Sequence, residues 1–220
     1  MNDGLRPIIC SLSMVWGGSM WLSRLCLNAA LWLTASNGYM LHQIIERGID
    51  PGDDERALWR IEGDTLIAQT RYPPDWTAVE RRKLAMSEVR PYYPTINAGD
   101  SLSFRLCANP TIKLARAGDD GQGKRVGLTG EAGQRAWLER KAALGGFVVT
   151  DLTIRCEGHR CYWRPRDRRM MNLLTVEYGG VLTVLDAERF ATTLAQGIGP
   201  AKGLGYGLLL LNAPEARWVW

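Results

Sequence analysis

The chain has 220 residues, of which 46% are hydrophobic and 23% are charged. This balance is typical of a globular protein, and the length allows one sizeable core or two smaller ones. A formal net charge of +4 permits nucleic-acid binding without requiring it. The five cysteines are odd in number and scattered in position, which argues against a disulfide framework and favours a reducing compartment.

Residues 1–19 differ from the remainder of the chain. Their apolar run at 8–16 is too short to cross a bilayer, which takes about 20 residues, and no clean small-residue cleavage site follows it. We interpret residues 1–19 as a leader or extension before an ancestral start at Met20. We expect this leader either to be disordered or to contact a neighbouring subunit, and we expect no membrane association.

The first half of the chain predicts a strand, a helix and a hairpin, in that order. These are strand Trp21–Leu27, helix Tyr39–Arg47 and the hairpin strands Leu58–Glu62 and Thr65–Tyr72. Ser36 and Asn37 provide N-cap oxygens for the helix, and Gly48 ends it. The polar stretch 75–85 has helical potential, and the stretch 90–99, with two prolines, is interpreted as a linker. No last strand is assigned in this half.

The second half predicts the same succession of elements. In chain order these are strand Ser101–Ala108, the basic excursion Thr111–Gly127, helix Glu131–Leu144, strand Phe147–Ile154, the basic segment Arg155–Arg169, strands Leu173–Tyr178 and Val181–Leu185, a helix to about Gln196 and strand Leu208–Leu211. We assign Thr129 and Asp186 as the helix N-caps and Gly179-Gly180 as a turn. Strand, helix, hairpin, helix and strand, occurring twice, is the ferredoxin-like plan. The predicted fold class is α+β, with two tandem ferredoxin-like (RRM-like, βαββαβ) domains at 20–93 and 98–214.

The stretch Gln196–Leu211 contains five glycines, at 197, 199, 203, 205 and 207, with Lys202 among them. A helix interior does not tolerate so many glycines, because each costs about 1 kcal/mol relative to alanine. The stretch therefore predicts a loop whose backbone N–H groups suit phosphate oxygens. From these residues alone, a tight turn packed against its own sheet is the simpler interpretation.

The chain has two histidines, His42 and His159, and histidine is the side chain best suited to moving protons near neutral pH. Tyr39 precedes His42 by three residues and therefore lies on the same helix face. Such a pair on a rigid helix makes a compact proton-transfer site. A packed histidine that bonds to a backbone carbonyl explains the same residues more simply.

Basic residues are concentrated in two segments of the second half. The denser segment contains Arg155, Arg160, Arg164, Arg166, Arg168 and Arg169. The guanidinium fork suits phosphates and guanine edges, and Tyr162 and Trp163, which lie among these arginines, are able to stack on bases. A second basic tract contains Lys113, Arg116, Lys124 and Arg125. Both segments predict contact with a nucleic acid.

Four ordered blocks resemble one family of RNA-processing enzymes. The blocks are Tyr39-Met40-Leu41-His42, FRLCANP at 104–110, GQRAWLERKA at 133–142 and GIGPAKGLGYGLL at 197–209. In type, order and spacing they resemble the CRISPR-associated repeat-processing endoribonucleases of the CasE type, which belong to subtype I-E systems. The resemblance covers about Met20 to Pro214 and also implies tandem ferredoxin-like domains.

The resemblance implies metal-independent cleavage of CRISPR repeat RNA at a stem-loop, without a cofactor. The ribose 2′-OH before the scissile bond attacks the phosphorus, which gives a 2′,3′-cyclic phosphate or 3′-phosphate and a 5′-OH. It further implies a cytoplasmic protein that retains the crRNA 3′ stem-loop within the Cascade complex, beside the backbone and crRNA 5′-end subunits. Target DNA is then met only through the complex.

The resemblance also assigns roles to individual residues. His42 is the acid, the base or both, and Tyr39 orients the 2′-OH or bonds to the scissile phosphate. Lys202, with the backbone at Gly203 and Gly205, offsets the charge that develops on the phosphorane. The RNA-binding side chains are then Arg155, Arg160, Arg164, Arg166, Arg168, Arg169, Lys113 and Arg116.

Two alternatives to the nuclease stay open. The first is a non-catalytic subunit of the same fold that binds an RNA hairpin and in which His42 is only packed. The second is a ferredoxin-like module that binds a small molecule or a metal through Cys156, His159 and Cys161. A structural zinc site usually needs four ligands, and no second pair lies nearby in the sequence.

Overall fold

The computed structural model describes residues 20–28, 38–49, 57–79, 84–114, 124–164 and 168–212. Its strands are β1 (Met20–Leu27), β2 (Leu58–Glu62), β3 (Thr65–Thr70), β4 (Leu84–Tyr92), β5 (Ser101–Ala108), β6 (Thr111–Leu114), β7 (Lys124–Gly127), β8 (Phe147–Arg164), β9 (Arg169–Val184) and β10 (Leu209–Asn212). Its helices are α1 (Gly38–Arg47), α2 (Glu131–Leu144) and α3 (Ala187–Gln196), with 3₁₀ turns at Trp76–Ala78 and Lys202–Leu204. The predicted leader at 1–19 and the N-cap residues Ser36 and Asn37 lie outside the described residues.

The first sheet is antiparallel and has the strand order β2-β3-β1-β4. α1 connects β1 to β2, and its apolar spacing places Leu41, Ile44 and Ile45 on one face. These three side chains are buried with Leu25 of β1 and Leu66 of β3. The opposite face of α1 is therefore left for polar residues, including the candidate histidine.

The second sheet repeats this order as β10-β5-β9-β8, again with antiparallel pairing throughout. Its core combines Trp137 and Leu138 of α2, Phe190 and Leu194 of α3, and Phe104 of β5. In both sheets the first strand of the unit lies between the third and the fourth, which is the ferredoxin-like arrangement. The predicted fold class of two tandem ferredoxin-like domains is confirmed.

The structure corrects the interpretation of residues 75–99. Residues Leu84–Tyr92 form β4, the last strand that the sequence left unassigned, and they pair with β1. Pro91 is tolerated because β4 is an edge strand, where a missing N–H costs no ladder bond. The helical potential at 75–85 yields, among the residues described there, a single 3₁₀ turn that Asp75 caps.

The predicted turn at Gly179-Gly180 is wrong, because both glycines continue β9 between β5 and β8. Gly180 has a φ of +148° and faces a bulge in β8, where an added Cβ would lie 2.1 Å from the carbonyl oxygen of Asp151. β8 runs on to Arg164 and β9 begins at Arg169, so the basic segment forms the end of one long hairpin. A glycine that admits a bulge is not distinguishable from a turn glycine by sequence.

The helix ends give a mixed result. Asp186 caps α3 as predicted, since its Oδ1 accepts the Arg189 N–H at 3.0 Å. Thr129 does not cap α2, because the N-cap is Gly130 and no side chain bonds there.

In the basic excursion, β6 and β7 pair as a short hairpin. Among the described residues, no helix has both the length and the apolar character needed to cross a membrane.

Candidate active site and nucleic-acid interface

His42 lies on the polar face of α1, with 28% of its side chain exposed. Its Nε2 is 2.9 Å from Oε1 of Glu46, one helical turn later. The rings of Tyr39 and His42 have centroids 6.0 Å apart. A neutral imidazole that donates from Nε2 to Glu46 keeps Nδ1 as a proton acceptor, so the helix alone orients the histidine for proton transfer.

The 3₁₀ turn Lys202–Leu204 lies beside this imidazole. A Cβ added to Gly203 would lie 3.5 Å from Cε1 and 3.7 Å from Nδ1 of His42. Gly203, which has no side chain, therefore places its backbone next to Nδ1, the imidazole nitrogen that does not contact Glu46. The glycine loop and the first helix thus lie close together at this residue.

The structure gives different roles to the two backbone amides, at Gly203 and Gly205, that we predict to bind the phosphate. The N–H of Gly205 donates to the carbonyl oxygen of Lys202 at 3.4 Å and closes the turn. Gly205 also has a φ of +88°, and an added Cβ there would lie 2.8 Å from the ring of Trp59. Gly205 thus serves the conformation of the turn, which leaves Gly203 as the better-placed amide.

Lys202 lines a concavity of about 490 Å³ between α2, the β6–β7 hairpin and the glycine loop. We call it the cationic groove, because its lining includes Lys113, Arg125, Arg140, Lys141 and Lys202. None of the described residues that line it is acidic. A concave surface lined by several cations is suited to a polyanion.

A larger concavity of about 920 Å³ lies between the two sheets, and we call it the interdomain cleft. Its charged lining residues are Arg60, Arg105, Arg155, Arg160, Glu62, Glu157 and Glu177. Arg60 is 5% exposed and bridges the domains, since its Nη2 contacts both Glu62 and, at 2.9 Å, Glu177. The arginines here are opposed by nearby carboxylates.

The cleft contains two of the arginines predicted to bind RNA. Arg155 is highly exposed but pairs with Glu157. Arg160 lies on the same strand and is directed to the cleft. Both are therefore less available to phosphates than the sequence suggests.

The end of the β8–β9 hairpin presents the remaining arginines of the segment. Arg168 and Arg169 are exposed there, and the backbone of Arg164 pairs with that of Arg169. Trp163 is 41% exposed, opposite Met170. Arg166 and, in the β6–β7 excursion, Arg116 lie outside the described residues.

Comparisons with known proteins identify the family of the chain. A family model described as "CRISPR associated protein" matches residues 20–213. The chain belongs to this family. The CRISPR-associated endoribonuclease Cse3 of Thermus thermophilus is 33% identical over 218 residues, which cover 86% of this chain and 98% of that protein.

Two further comparisons concern a Cascade subunit and an RNA-bound structure of Cse3. The Cascade subunit CasE of Escherichia coli is 35% identical over 160 residues, which cover 68% of this chain and 75% of CasE. A structure of Thermus thermophilus Cse3 bound to an RNA representing a pre-cleavage complex matches with a TM-score of 0.76 and 31% identity. That match covers 88% of this chain and 99% of the other. The resemblance to the CasE-type endoribonucleases is confirmed.

Sequence reasoning missed several residues of this family member's site. Glu46 was recognisable, because it follows His42 by four residues on the same helix. Arg140 and Lys141 look like ordinary solvated helix positions, and only the fold places them near Lys202. Trp59 gives no signal at all in the sequence, although its Nε1 donates to the carbonyl of Gly203 at 3.2 Å.

The side chains of the metal-binding alternative do not form a site. Cys156 and Cys161 are exposed free thiols on β8, and the Cys161 thiol contacts Oδ1 of Asn172. Within the described ranges, no group of three or more histidine, cysteine or acidic side chains is arranged to hold a metal ion. The structure therefore gives this alternative no support.

Proposed function

We propose that this CRISPR-associated protein is an endoribonuclease that cleaves CRISPR repeat RNA at a stem-loop. It then holds the crRNA 3′ stem-loop as a subunit of Cascade. Support comes from the names of its relatives, one an endoribonuclease and the other a Cascade subunit, and from the RNA-bound Cse3 structure. The single observation that supports it best is the His42 imidazole beside Gly203, on the turn that also presents Lys202 to the cationic groove.

The proposed chemistry needs no group beyond the RNA and the protein. The 2′-oxygen attacks the adjacent phosphorus as the P–O5′ bond breaks, which leaves a 2′,3′-cyclic phosphate and a 5′-OH. His42 takes the 2′-OH proton or delivers a proton to the 5′-oxygen, and one such role contributes about 10²–10⁴-fold. Tyr39 orients the reacting ribose or phosphate, and Lys202 and the Gly203 backbone offset the developing negative charge.

The cationic groove supplies the path that we propose for the RNA backbone. A-form RNA is recognised mainly through phosphates and 2′-hydroxyls, because side chains seldom read its deep, narrow groove. Five of the described residues that line the groove are cationic, which meets that need, and Lys202 joins the groove to the turn at His42. The exposed Arg168 and Arg169 extend the contact along the hairpin. Contacts on several elements would outlast cleavage, which supports retention of the product.

The assembly and location follow from this proposal. We place the protein in the cytoplasm with the other Cascade subunits, and we expect it to meet target DNA only through that complex. The cysteines described by the structure are all free thiols, as is usual for a reducing compartment. We retain residues 20–93 and 98–214 as the two functional domains.

The test is incubation of the purified protein with its own repeat RNA in excess EDTA, beside His42→Ala. We expect a single cut with a cyclic phosphate end, and we expect His42→Ala to lose it by about 10²-fold or more while still binding RNA. Tight binding by both proteins without any cut would favour the non-catalytic subunit. Cleavage that EDTA abolishes would contradict the metal-independent chemistry.

A further inference from the structure

Two consecutive carbonyls of the glycine turn accept hydrogen bonds from side chains of different domains. Nε1 of Trp59, on β2 of the first domain, donates to the Gly203 carbonyl at 3.2 Å. The hydroxyl of Tyr162, on β8 of the second domain, donates to the Leu204 carbonyl at 3.2 Å. Both donors are almost fully buried, with 2% and 4% of their surfaces exposed. Buried hydrogen bonds of this kind have defined geometry and are costly to lose.

The Tyr162 hydroxyl belongs to a longer chain of buried hydroxyls. It lies 3.3 Å from the hydroxyl of Tyr206, which in turn lies 2.7 Å from Oγ1 of Thr175 on β9. Burial raises the pKa of both phenols, so both stay neutral at physiological pH. The Tyr162 hydroxyl therefore always has a hydrogen to donate. Its position is fixed by Tyr206 of the glycine loop and, through Tyr206, by Thr175 of β9.

The turn depends on such support because its own conformation is uncommon. Ala201 and Gly205, which flank it, have φ values of +64° and +88°. A left-handed residue other than glycine is unfavourable unless its surroundings hold it in place. Trp59 packs against the other flanking residue, since its ring occupies the space that a Cβ at Gly205 would need.

The placement matters because His42 and Gly203 belong to different domains. Both α1 and β2 contact the turn, and the Trp59 indole adds a hydrogen bond to this packing. Trp59 ties the turn to the domain that contains His42. Tyr162 ties the same turn to the strand that ends, two residues later, at Arg164 of the basic hairpin.

We propose that Trp59 and Tyr162 are positioning residues that together hold the Gly203 turn against His42. Tyr162 and Arg164 lie on the same strand, β8. This strand therefore aligns RNA that is bound by the basic hairpin with the His42 imidazole. This inference rests on the proposed nuclease function. It assigns work to two buried residues that do not touch the reacting atoms.

The test uses Tyr162→Phe, which removes only the donor, and Trp59→Phe, which removes the donor together with part of the ring. Each has a matched control that loses a comparable buried donor elsewhere in the same domain. Tyr178→Phe loses a bond from a 1%-exposed phenol to the Gln134 carbonyl at 3.2 Å. Trp76→Phe loses a bond from a 4%-exposed indole to Oγ of Ser23 at 2.9 Å.

Single-turnover cleavage rate, RNA Kd and Tm are measured for all four variants and the wild type. We expect Tyr162→Phe and Trp59→Phe to cleave roughly 10- to 100-fold more slowly, because a misplacement near 1 Å has that effect. Their Kd should stay within about twofold of wild type, and their Tm should fall no further than in the controls. The controls should cleave at the wild-type rate.

A second readout does not depend on cleavage. The chain has two histidines, so the imidazole ¹⁵N–¹H signals are assignable with His42→Ala. Tyr162→Phe should shift the His42 signal, whereas Tyr178→Phe should leave it unchanged.

The outcomes separate this inference from the proposed function. If Tyr162→Phe and Trp59→Phe cleave as fast as their controls and the His42 signal does not move, the inference is overturned and the nuclease stands. If their rate falls only in proportion to affinity, the two residues support binding, and the inference is also overturned. If the wild type does not cleave, the proposed function fails and the inference fails with it.

Discussion

The cationic groove and the interdomain cleft meet at the Lys202–Leu204 turn, and both are lined by basic side chains. Lys202 lines the groove and Leu204 lines the cleft. Among the described lining residues, the groove has five cations and no acidic side chain, whereas the cleft has four arginines and three glutamates. Basic side chains thus have different roles on the two surfaces. A carboxylate beside an arginine offsets the charge that would attract a phosphate, and the arginine then connects parts of the structure.

The largest effect should come from the cleft. Arg60→Met should lower the free energy of unfolding by about 3 kcal/mol, because it leaves Glu62 and Glu177 without their shared partner. Urea denaturation measures this loss. Arg105→Met is the matched control, since Arg105 contacts the same Glu62 but is 44% exposed, and it should cost less than about 1 kcal/mol. Equal losses of unfolding free energy in the two variants would show that burial of the arginine does not determine the cost of replacing it.

Substitutions in the cationic groove should lower the affinity for RNA without lowering the stability of the protein. Combining Lys113→Glu, Arg140→Glu and Lys141→Glu should weaken binding of the repeat hairpin roughly 10- to 100-fold and reduce the salt slope by about 2–3. Filter binding over a range of salt concentrations measures both. Arg135→Glu, on α2 but outside the groove, is the control and should change affinity little. An unaltered slope in the triple variant would exclude the groove as the RNA path.

Lys202 tests whether the groove leads into the reaction site. Lys202→Ala should slow single-turnover cleavage roughly 10-fold, because one cation near the phosphorane is lost. Its effect on Kd should be near threefold, as for one phosphate contact among several. An unchanged cleavage rate with weaker binding would assign Lys202 to the groove alone.

The smallest effect on RNA binding is expected for two arginines of the cleft. The double change Arg155→Gln and Arg160→Gln should weaken RNA binding by less than about threefold, because Glu157 pairs with Arg155 and Glu177 interacts electrostatically with Arg160. Arg168→Gln with Arg169→Gln, at the exposed hairpin end, is the comparison and should weaken binding more. The reverse order would place the RNA in the cleft.

Local patterns predicted much of the fold. The apolar spacing of α1 and the alternating strands of the first hairpin were recognisable, and so was Asp186 as the cap of α3, because each depends on residues a few positions apart. The errors occurred where a partner strand decides the outcome. Gly180 was mistaken for a turn because its need for φ +148° comes from a bulge on β8. β4 was missed because its pairing with β1 overrides the proline at its end, Pro91.

The sequence by itself determined the family, most of the succession of elements and the candidate residues for the proposed chemistry. Tyr39 and His42 share a helix face by spacing alone, and the glycine loop is recognisable by composition. Tertiary structure alone decided which of these residues meet. Trp59 reaches the Gly203 carbonyl across 144 positions of sequence, and no local pattern records that contact.

The same distinction applies to charge. The net charge of +4 and the arginine-rich segment were plain in the sequence, but their availability to RNA was not. Whether a cation binds a phosphate or holds two domains together depends on the carboxylate beside it. For Arg60 that carboxylate is Glu177, supplied by a strand of the other domain, and only the packing of the two sheets brings it there.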